Sequence, residues 1–401
     1  MNTIEKMNIF EGMKLLVRVD FNVPLKGSEV RDDNRVVAAL PTIKYLLSKG
    51  AALVLMSHLG KIKWGKATDE EIEQQKAKNN MEFVYPVLAK HLQGVNVKFC
   101  GATRGEELAK AVASLKAGEV LLVQNTRYEK GESKNNPELS AEWAGLVDGF
   151  VMDAFGSAHR AHASTYGVPE VLKNAGKPVA LGYLMEKEVS NLGACVKGDV
   201  HPYLAILGGF KVSDKIKVID SLLKKCDKIL IGGAMAYTFK KALGEQIGTS
   251  PCEEDQLDYA RKCYESGKIL LPVDSVVAND FENPTEVKTV EGDIPEGFEG
   301  LDIGPKTREI YAAEIAKAKL IFWNGPAGVF EKEAYQAGTK AICQAITENK
   351  GAFSVIGGGD SAAAAKEFGY ASKFSHVSTG GGASLEMIEN DGHLPGIDII
   401  G

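Results

Sequence analysis

The chain has 401 residues, with 47 Lys+Arg against 53 Asp+Glu and a formal charge of −6. Its 44% apolar and 25% charged residues match ordinary globular protein and exclude a disordered or collagen-like chain. No apolar run approaches the ~18–20 residues of a membrane span, and mild acidity argues against general nucleic-acid binding.

The start, Met-Asn-Thr-Ile-Glu-Lys, lacks the apolar core of a signal peptide, so a cytoplasmic protein is expected. Short apolar runs then alternate with helical stretches. In the first half they are Lys14–Val19, Ala52–Ser57, Val95–Phe99, Val120–Val123 and Phe150–Asp153. Near-continuous apolar strands of this kind predict a parallel sheet covered on both faces. The first run ends in Asp20-Phe21-Asn22, where Asp20 and Asn22 alternate onto one face. They suit a substrate hydroxyl and equally suit strand-end turn chemistry, and this segment alone does not separate the two. Ser57-His58-Leu59-Gly60-Lys61 follows the second run, Asn125-Thr126-Arg127 the fourth, and Asp153–Thr165, with His159, Arg160 and His162, the fifth. Only eight basic residues are Arg, and six of them lie before residue 161: Arg18, Arg31, Arg35, Arg104, Arg127 and Arg160. Arg has a planar fork suited to carboxylate and phosphate, so this placement predicts an anionic ligand in the first half.

Met185, Val189, Leu192, Cys195 and Val196 have helical spacing and predict one helix linking two halves. In the second half the runs are Tyr203–Leu207, Lys228–Ile231, Leu320–Trp323 and Phe353–Ile356, and Glu282–Pro305 reads as a surface excursion. Strand ends here carry glycines: Gly208-Gly209, Gly232-Gly233, Gly357-Gly358-Gly359 and Gly380-Gly381-Gly382. Glycine at a strand's carboxyl end lets a phosphate or base approach the backbone, so a nucleotide shelf is expected. Lys211 and Lys215, four apart, are expected on one face at a helix start, where an incoming phosphate would offset their repulsion. Gly358–Ser361 opens another helix, with Asp360 and Ser361 suited to cap it or to meet a magnesium nucleotide. Two series of strands therefore predict two doubly wound α/β domains.

Gly60–Ala67 nearly fits a phosphate-binding P-loop, but Ala67 has no hydroxyl for magnesium and a polar stretch follows it. G-x-G-x-x-G is absent, which removes the main support for a nicotinamide-dependent dehydrogenase. The six cysteines show no C-x-x-C and no zinc spacing.

Taken together, Leu15–Pro24, Ser57–Gly60, Asp153–Thr165, Gly208–Lys215, Trp323–Glu331, Gly357–Ser361 and Ser378–Leu385 resemble, in order, the hallmark blocks of the phosphoglycerate kinase family. The resemblance implies two Rossmann-like domains joined by a helix and hinge. Residues 1–183 would bind 3-phosphoglycerate or 1,3-bisphosphoglycerate, 184–198 would link, and 199–390 would bind ATP or ADP. The tail 391–401 would return to the first domain. Position by position, the implied substrate ligands are Asp20, Phe21, Asn22, Arg35, His58, Leu59, Gly60, Lys61, Arg127 and Arg160. The implied nucleotide ligands are Gly208, Gly209, Lys211, Gly232, Gly233, Asn324, Pro326, Glu331, Gly358, Gly359, Asp360 and Ser361. Arg35, Lys211, Lys215, Gly358 and Gly381 would meet the transferring phosphoryl group, and Asp360 would hold Mg2+ through the nucleotide. A monomer without nucleic-acid or membrane partners, acting after domain closure, is implied as well. Three positions depart from the family pattern: Lys61 stands where Arg is usual, Phe210 where a small residue is usual, and Ser361 where Thr is common.

Overall fold

The computed structural model describes residues 1–401 and divides into two units, Met1–Ser190 with His393–Gly401, and Asn191–Gly392. The N-terminal unit is built on six strands: β1 (Lys14–Arg18), β2 (Ala52–Met56), β3 (Val97–Cys100), β4 (Val120–Val123), β5 (Gly149–Met152) and β6 (Val179–Leu181). They pair in the order β3-β4-β2-β1-β5-β6, all parallel. Leu15 and Val17 on one face of β1 and Leu16 on the other are all buried. Both faces are therefore covered, which accounts for the unbroken apolar runs in the sequence.

The C-terminal unit has the same plan. β7 (Tyr203–Leu207), β8 (Lys228–Ile231) and β9 (Ile269–Leu270) form one half of its main sheet. Then come β10 (Asp274–Ala278), β11 (Val287–Glu291) and β12 (Glu299–Ile303) of a separate sheet. β13 (Leu320–Asn324), β14 (Phe353–Ile356) and β15 (His376–Val377) complete the main sheet, whose order is β9-β8-β7-β13-β14-β15, again parallel.

The small sheet corrects one expectation. Residues 282–305, read as a surface excursion, contribute β11 and β12, which flank β10 antiparallel. β11 is largely exposed, and β12 carries Gly300 and the buried Asp302 inside its run. Neither has the apolar signature of a strand, and backbone pairing to β10 makes both.

In each main sheet the connections run in opposite directions from two central neighbours. These are β1 and β5 in the first unit, and β7 and β13 in the second. Such switch points leave a crevice beyond the carboxyl ends of the strands, where open α/β sheets bind ligands. The loops after β1 and β5 carry Asp20–Asn22 and Asp153–Thr165, and those after β7 and β13 carry Gly208–Lys215 and Gly325–Glu331.

The helix Tyr183–Lys197 starts in the first unit and ends in the second, so the division falls inside it, between Ser190 and Asn191. The returning tail is bonded into the first unit: Gly396 N donates to Ala158 O at 2.8 Å and Asn2 N to Gly401 O at 3.1 Å.

Candidate active site

The N-terminal crevice gathers Arg35, Arg127 and His58 near the Asp20 carboxylate. Arg35 stands at the second residue of the helix Asn34–Ser48, where the helix dipole disfavours a cation. Asp20 compensates, pairing with Arg35 at 3.1 Å, while Arg35 also donates to Asn22 O at 2.9 Å. The Asn22 side chain accepts from Gly60 N at 2.8 Å, tying the β1 loop to the β2 loop. Gly60 has φ 61°, and a Cβ there would lie 2.1 Å from the Asn79 side-chain oxygen, so glycine is required.

Arg127 follows β4 on a short turn capped by Asn125. It donates to Gly60 O at 3.0 Å, and burial lowers its pKa. Its Nε is buried and meets no protein acceptor. A buried guanidinium N–H left without an acceptor is a costly feature. His58 is buried, and burial followed by the charges of Arg18, Arg127 and Arg35 holds its pKa well below the usual value. His162 is pushed down to about 4, first by burial and despite Glu132, which acts the other way.

The structure separates the expected ligands. Asp20, Asn22, Arg35, His58, Gly60 and Arg127 are linked by direct bonds or neighbouring loops, and Arg160 is exposed on the β5 loop. Lys61 is exposed and its side chain makes no hydrogen bond or ion pair; only its backbone oxygen is used, by Asn79 at 3.4 Å. The side chains of Phe21 and Leu59 belong to the apolar core, and their amides donate to Ser57 Oγ and Asn125 Oδ1. They hold the loops in place. In sequence Arg18 is only one Arg among several, because a charged residue inside an apolar run carries no signal of its partners. It is 1% exposed and bonds His58 directly.

In the C-terminal unit the glycines allow backbone to pack on backbone. A Cβ on Gly208 would lie 2.0 Å from Pro326 O, so the β7 and β13 loops meet at the switch point only with glycine there. Lys215 enters this junction. Its Nζ donates to Gly208 O at 2.6 Å and to the Asn324 side chain, and burial lowers its pKa to about 8, with Asp214 and Asp360 opposing the shift. Asn324 in turn donates to Gly357 O, and Ser361 Oγ accepts from Gly325 N at 2.6 Å. The Ser361 hydroxyl thus braces the β13 and β14 loops.

The expected shared helix face of Lys211 and Lys215 is not found. The helix begins only at Ile216, after a single tight turn over Ser213–Lys215. Gly209, at φ 118°, and the bonds from Ser213 to Glu253 turn the chain away first, leaving Lys211 exposed outside the helix.

Two helices, Gly359–Glu367 and Gly381–Glu389, begin side by side: a Cβ on Gly381 would lie 2.9 Å from Gly358 Cα. Their first amides and dipoles favour an anion, and Asp360 lies exposed in the first turn. Next to the β7 and β13 loops is a cavity of about 500 Å3, lined by Gly209, Phe210, Gly233, Tyr237, Pro326 and Glu331 among others. Its apolar wall also draws on Phe281, Leu301 and Val329. Sequence reasoning missed these, since two of them come from the small sheet and its approach. Gly232 lies at the end of β8 and packs against Ala327.

This arrangement agrees with known proteins over the whole chain. The phosphoglycerate kinase family model matches residues 4–391. A phosphoglycerate kinase of Fusobacterium nucleatum is 52% identical over 394 residues, 96% of each chain. One of Lactococcus lactis subsp. cremoris is 52% identical over 395 residues, again 96% of each. Among solved structures, phosphoglycerate kinase from Coxiella burnetii superposes with a TM-score of 0.85 at 36% identity, covering 99% of this chain and 98% of the other. That from Pyrococcus horikoshii OT3 gives 0.82 at 31%, covering 100% and 98%. With two doubly wound units, a cationic crevice on one and a glycine-built shelf on the other, the chain belongs to the phosphoglycerate kinase family, whose reaction is the reversible phosphoryl transfer between 1,3-bisphosphoglycerate and ADP that gives 3-phosphoglycerate and ATP.

Proposed function

We propose that the N-terminal unit holds the phosphoglycerate and the C-terminal unit the nucleotide. The observation that carries this division is Arg127, a half-buried guanidinium in a crevice already crowded with Arg18, Arg35 and His58. A phosphate or carboxylate there neutralises the cluster. Asp20, Asn22, Arg35, His58, Gly60, Lys61, Arg127 and Arg160 are the ligands in this reading. The C-terminal cavity has the size and apolar lining of a nucleoside site, with Glu331 at its rim for a ribose hydroxyl. Gly208, Gly209, Gly232, Gly233, Lys211, Asn324, Pro326 and Gly358–Ser361 frame the nucleotide.

No general base is needed. The nucleophile is a phosphate oxygen of ADP in one direction and a carboxylate in the other, and both are ionised near neutral pH. Positioning and charge neutralisation suffice, from Arg35, Lys211, Lys215 and the Gly358 and Gly381 amides. In-line transfer requires the reacting atoms at ~3–3.5 Å, so substrates held on separate units require domain closure, which also keeps water from the acyl phosphate.

Mg2+ fits as a companion of ATP or ADP. No three His, Cys, Asp or Glu side chains converge to hold a metal unaided, whereas Asp360 offers one carboxylate beside the two helix starts. Bound there with the nucleotide's own oxygens, the ion adds positive charge at the phosphates. The family resemblance is the support for a monomer. No helix is long and apolar enough to cross a membrane, and a cytoplasmic location without nucleic-acid or membrane partners completes the proposal. A coupled assay tests it: ATP consumption should require both 3-phosphoglycerate and Mg2+, stop on chelation and resume with added Mg2+. Consumption independent of 3-phosphoglycerate would overturn it.

A further inference from the structure

Behind the N-terminal crevice runs a buried polar chain whose direction is forced by its chemistry. Arg18, Ser164 and Glu132 are at most 1% exposed, and His58 is 8% exposed. Arg18 can only donate. Its Nε therefore donates to Ser164 Oγ at 2.8 Å, and one terminal nitrogen donates to Val19 O. Having accepted from Arg18, Ser164 gives its one hydroxyl proton to Glu132 Oε2 at 2.7 Å. The other oxygen, Glu132 Oε1, accepts from Ser164 N at 2.8 Å. Both carboxylate oxygens thus act as acceptors, and the charge of Glu132 answers that of Arg18. The remaining guanidinium nitrogen lies 2.9 Å from His58 Nδ1. That ring nitrogen must accept.

We infer that Glu132 is a positioning residue which, through Ser164 and Arg18, holds His58 as the neutral imidazole with its proton on Nε2. An imidazolium would set a second N–H against the guanidinium. The other groups around the ring point the same way. Arg127 and Arg35 face it from the β4 loop and the first helix and disfavour a further positive charge, while His162 on the β5 loop, its own pKa pushed down to about 4, adds no charge near neutral pH. His58 then offers a fixed N–H donor whose state does not change through the range in which histidine ordinarily titrates. Its use on an oxygen of 3-phosphoglycerate rests on the ligand assignment above; the tautomer itself does not.

Nitrogen-15 NMR of the full chain, labelled at histidine, separates the two. In the ligand-free wild type, His58 should show a bare Nδ1 and a protonated Nε2, unchanged from about pH 5 to about pH 8. A proton on Nδ1, or an imidazolium forming within that range, would overturn the inference without any variant being made. Glu132→Gln sets an amide donor against the donors of Ser164, and Ser164→Ala removes the link. Either should convert His58 to a mixture of tautomers and raise KM for 3-phosphoglycerate about 10-fold, the effect of one displaced charged hydrogen bond, with KM for ATP unchanged. A raised KM with the His58 signature intact would reduce Glu132 to a structural role and overturn the inference. A shifted tautomer with KM unchanged supports the relay and instead removes His58 from the substrate site.

Discussion

In the proposed reading, Lys215 is the cation of the C-terminal unit that meets the transferring phosphoryl group. Its ammonium is drawn into the β7–β13 junction by Gly208 O and Asn324, and burial brings its pKa down to about 8. Lys215→Ala should lower kcat by ~10²–10³, the cost of losing a donor to charge that develops in the transition state, with much smaller changes in either KM. In the wild type, kcat/KM should fall as pH rises through about 8, because the free enzyme loses this positive charge. A bound anionic nucleotide favours the charged form, so kcat itself should hold to higher pH. A pH–rate profile of Lys215→Arg, whose charge is permanent, should lack the inflection. Lys61 poses the opposite case, a cation with no partner. If it meets the substrate, Lys61→Ala weakens 3-phosphoglycerate binding by roughly 1–3 kcal/mol, the range for a charged hydrogen bond. Lys61→Arg should be neutral or tighter, and Lys63→Ala in the same loop should do little. Equal small shifts in KM for Lys61→Ala and Lys63→Ala, both abolished by salt, would make Lys61 part of a solvated basic loop.

Among the elements, the helix Tyr183–Lys197 has a titratable start. Leu184 N donates to Asp153 Oδ1 at 3.1 Å, and Tyr183 N to Thr42 Oγ1 at 2.9 Å. Asp153 is fully buried, its second oxygen has no partner, and burial raises its pKa to about 7 against the opposing bonds from Thr42 and the helix amides. The folded state therefore holds this proton more tightly than the unfolded chain, whose aspartates titrate near 3.9. The stability it contributes is complete below about pH 4 and is lost as pH rises through about 7. Asp153→Asn cannot ionise. Its melting temperature relative to wild type should be higher at pH 8 than at pH 5, and a difference independent of pH would show that Asp153 ionises freely in the fold. The same helix was legible in sequence from the spacing of Met185, Val189, Leu192 and Cys195, and the main-sheet strands from their apolar runs. β11 and β12 were not, since an exposed strand and one interrupted by Gly300 and Asp302 carry neither a period of two nor a continuous apolar run. β6, β9 and β15, at two or three residues each, are too short to register as a pattern. The spacing of Lys211 and Lys215 predicts one helical face only if a helix spans both, and here the helix starts at Ile216.

For the molecule as a whole, the switch points of the two sheets lie where the two candidate sites are proposed, and the glycine-ended strands and the clustered Arg are the sequence features that point to them. What lay beyond sequence was the set of bonds inside each unit that hold its residues in place. Arg18 to His58, Ser164 to Glu132, and Lys215 to Asn324 connect residues far apart in the chain, and only the fold brings them together. The central claim is that each substrate belongs to one unit. Calorimetric titration of Arg127→Ala with each substrate tests it most directly. Loss of the guanidinium should weaken 3-phosphoglycerate by about 10-fold or more and leave the affinity for MgATP at the wild-type value. A matching loss of MgATP affinity in the same variant would contradict the division.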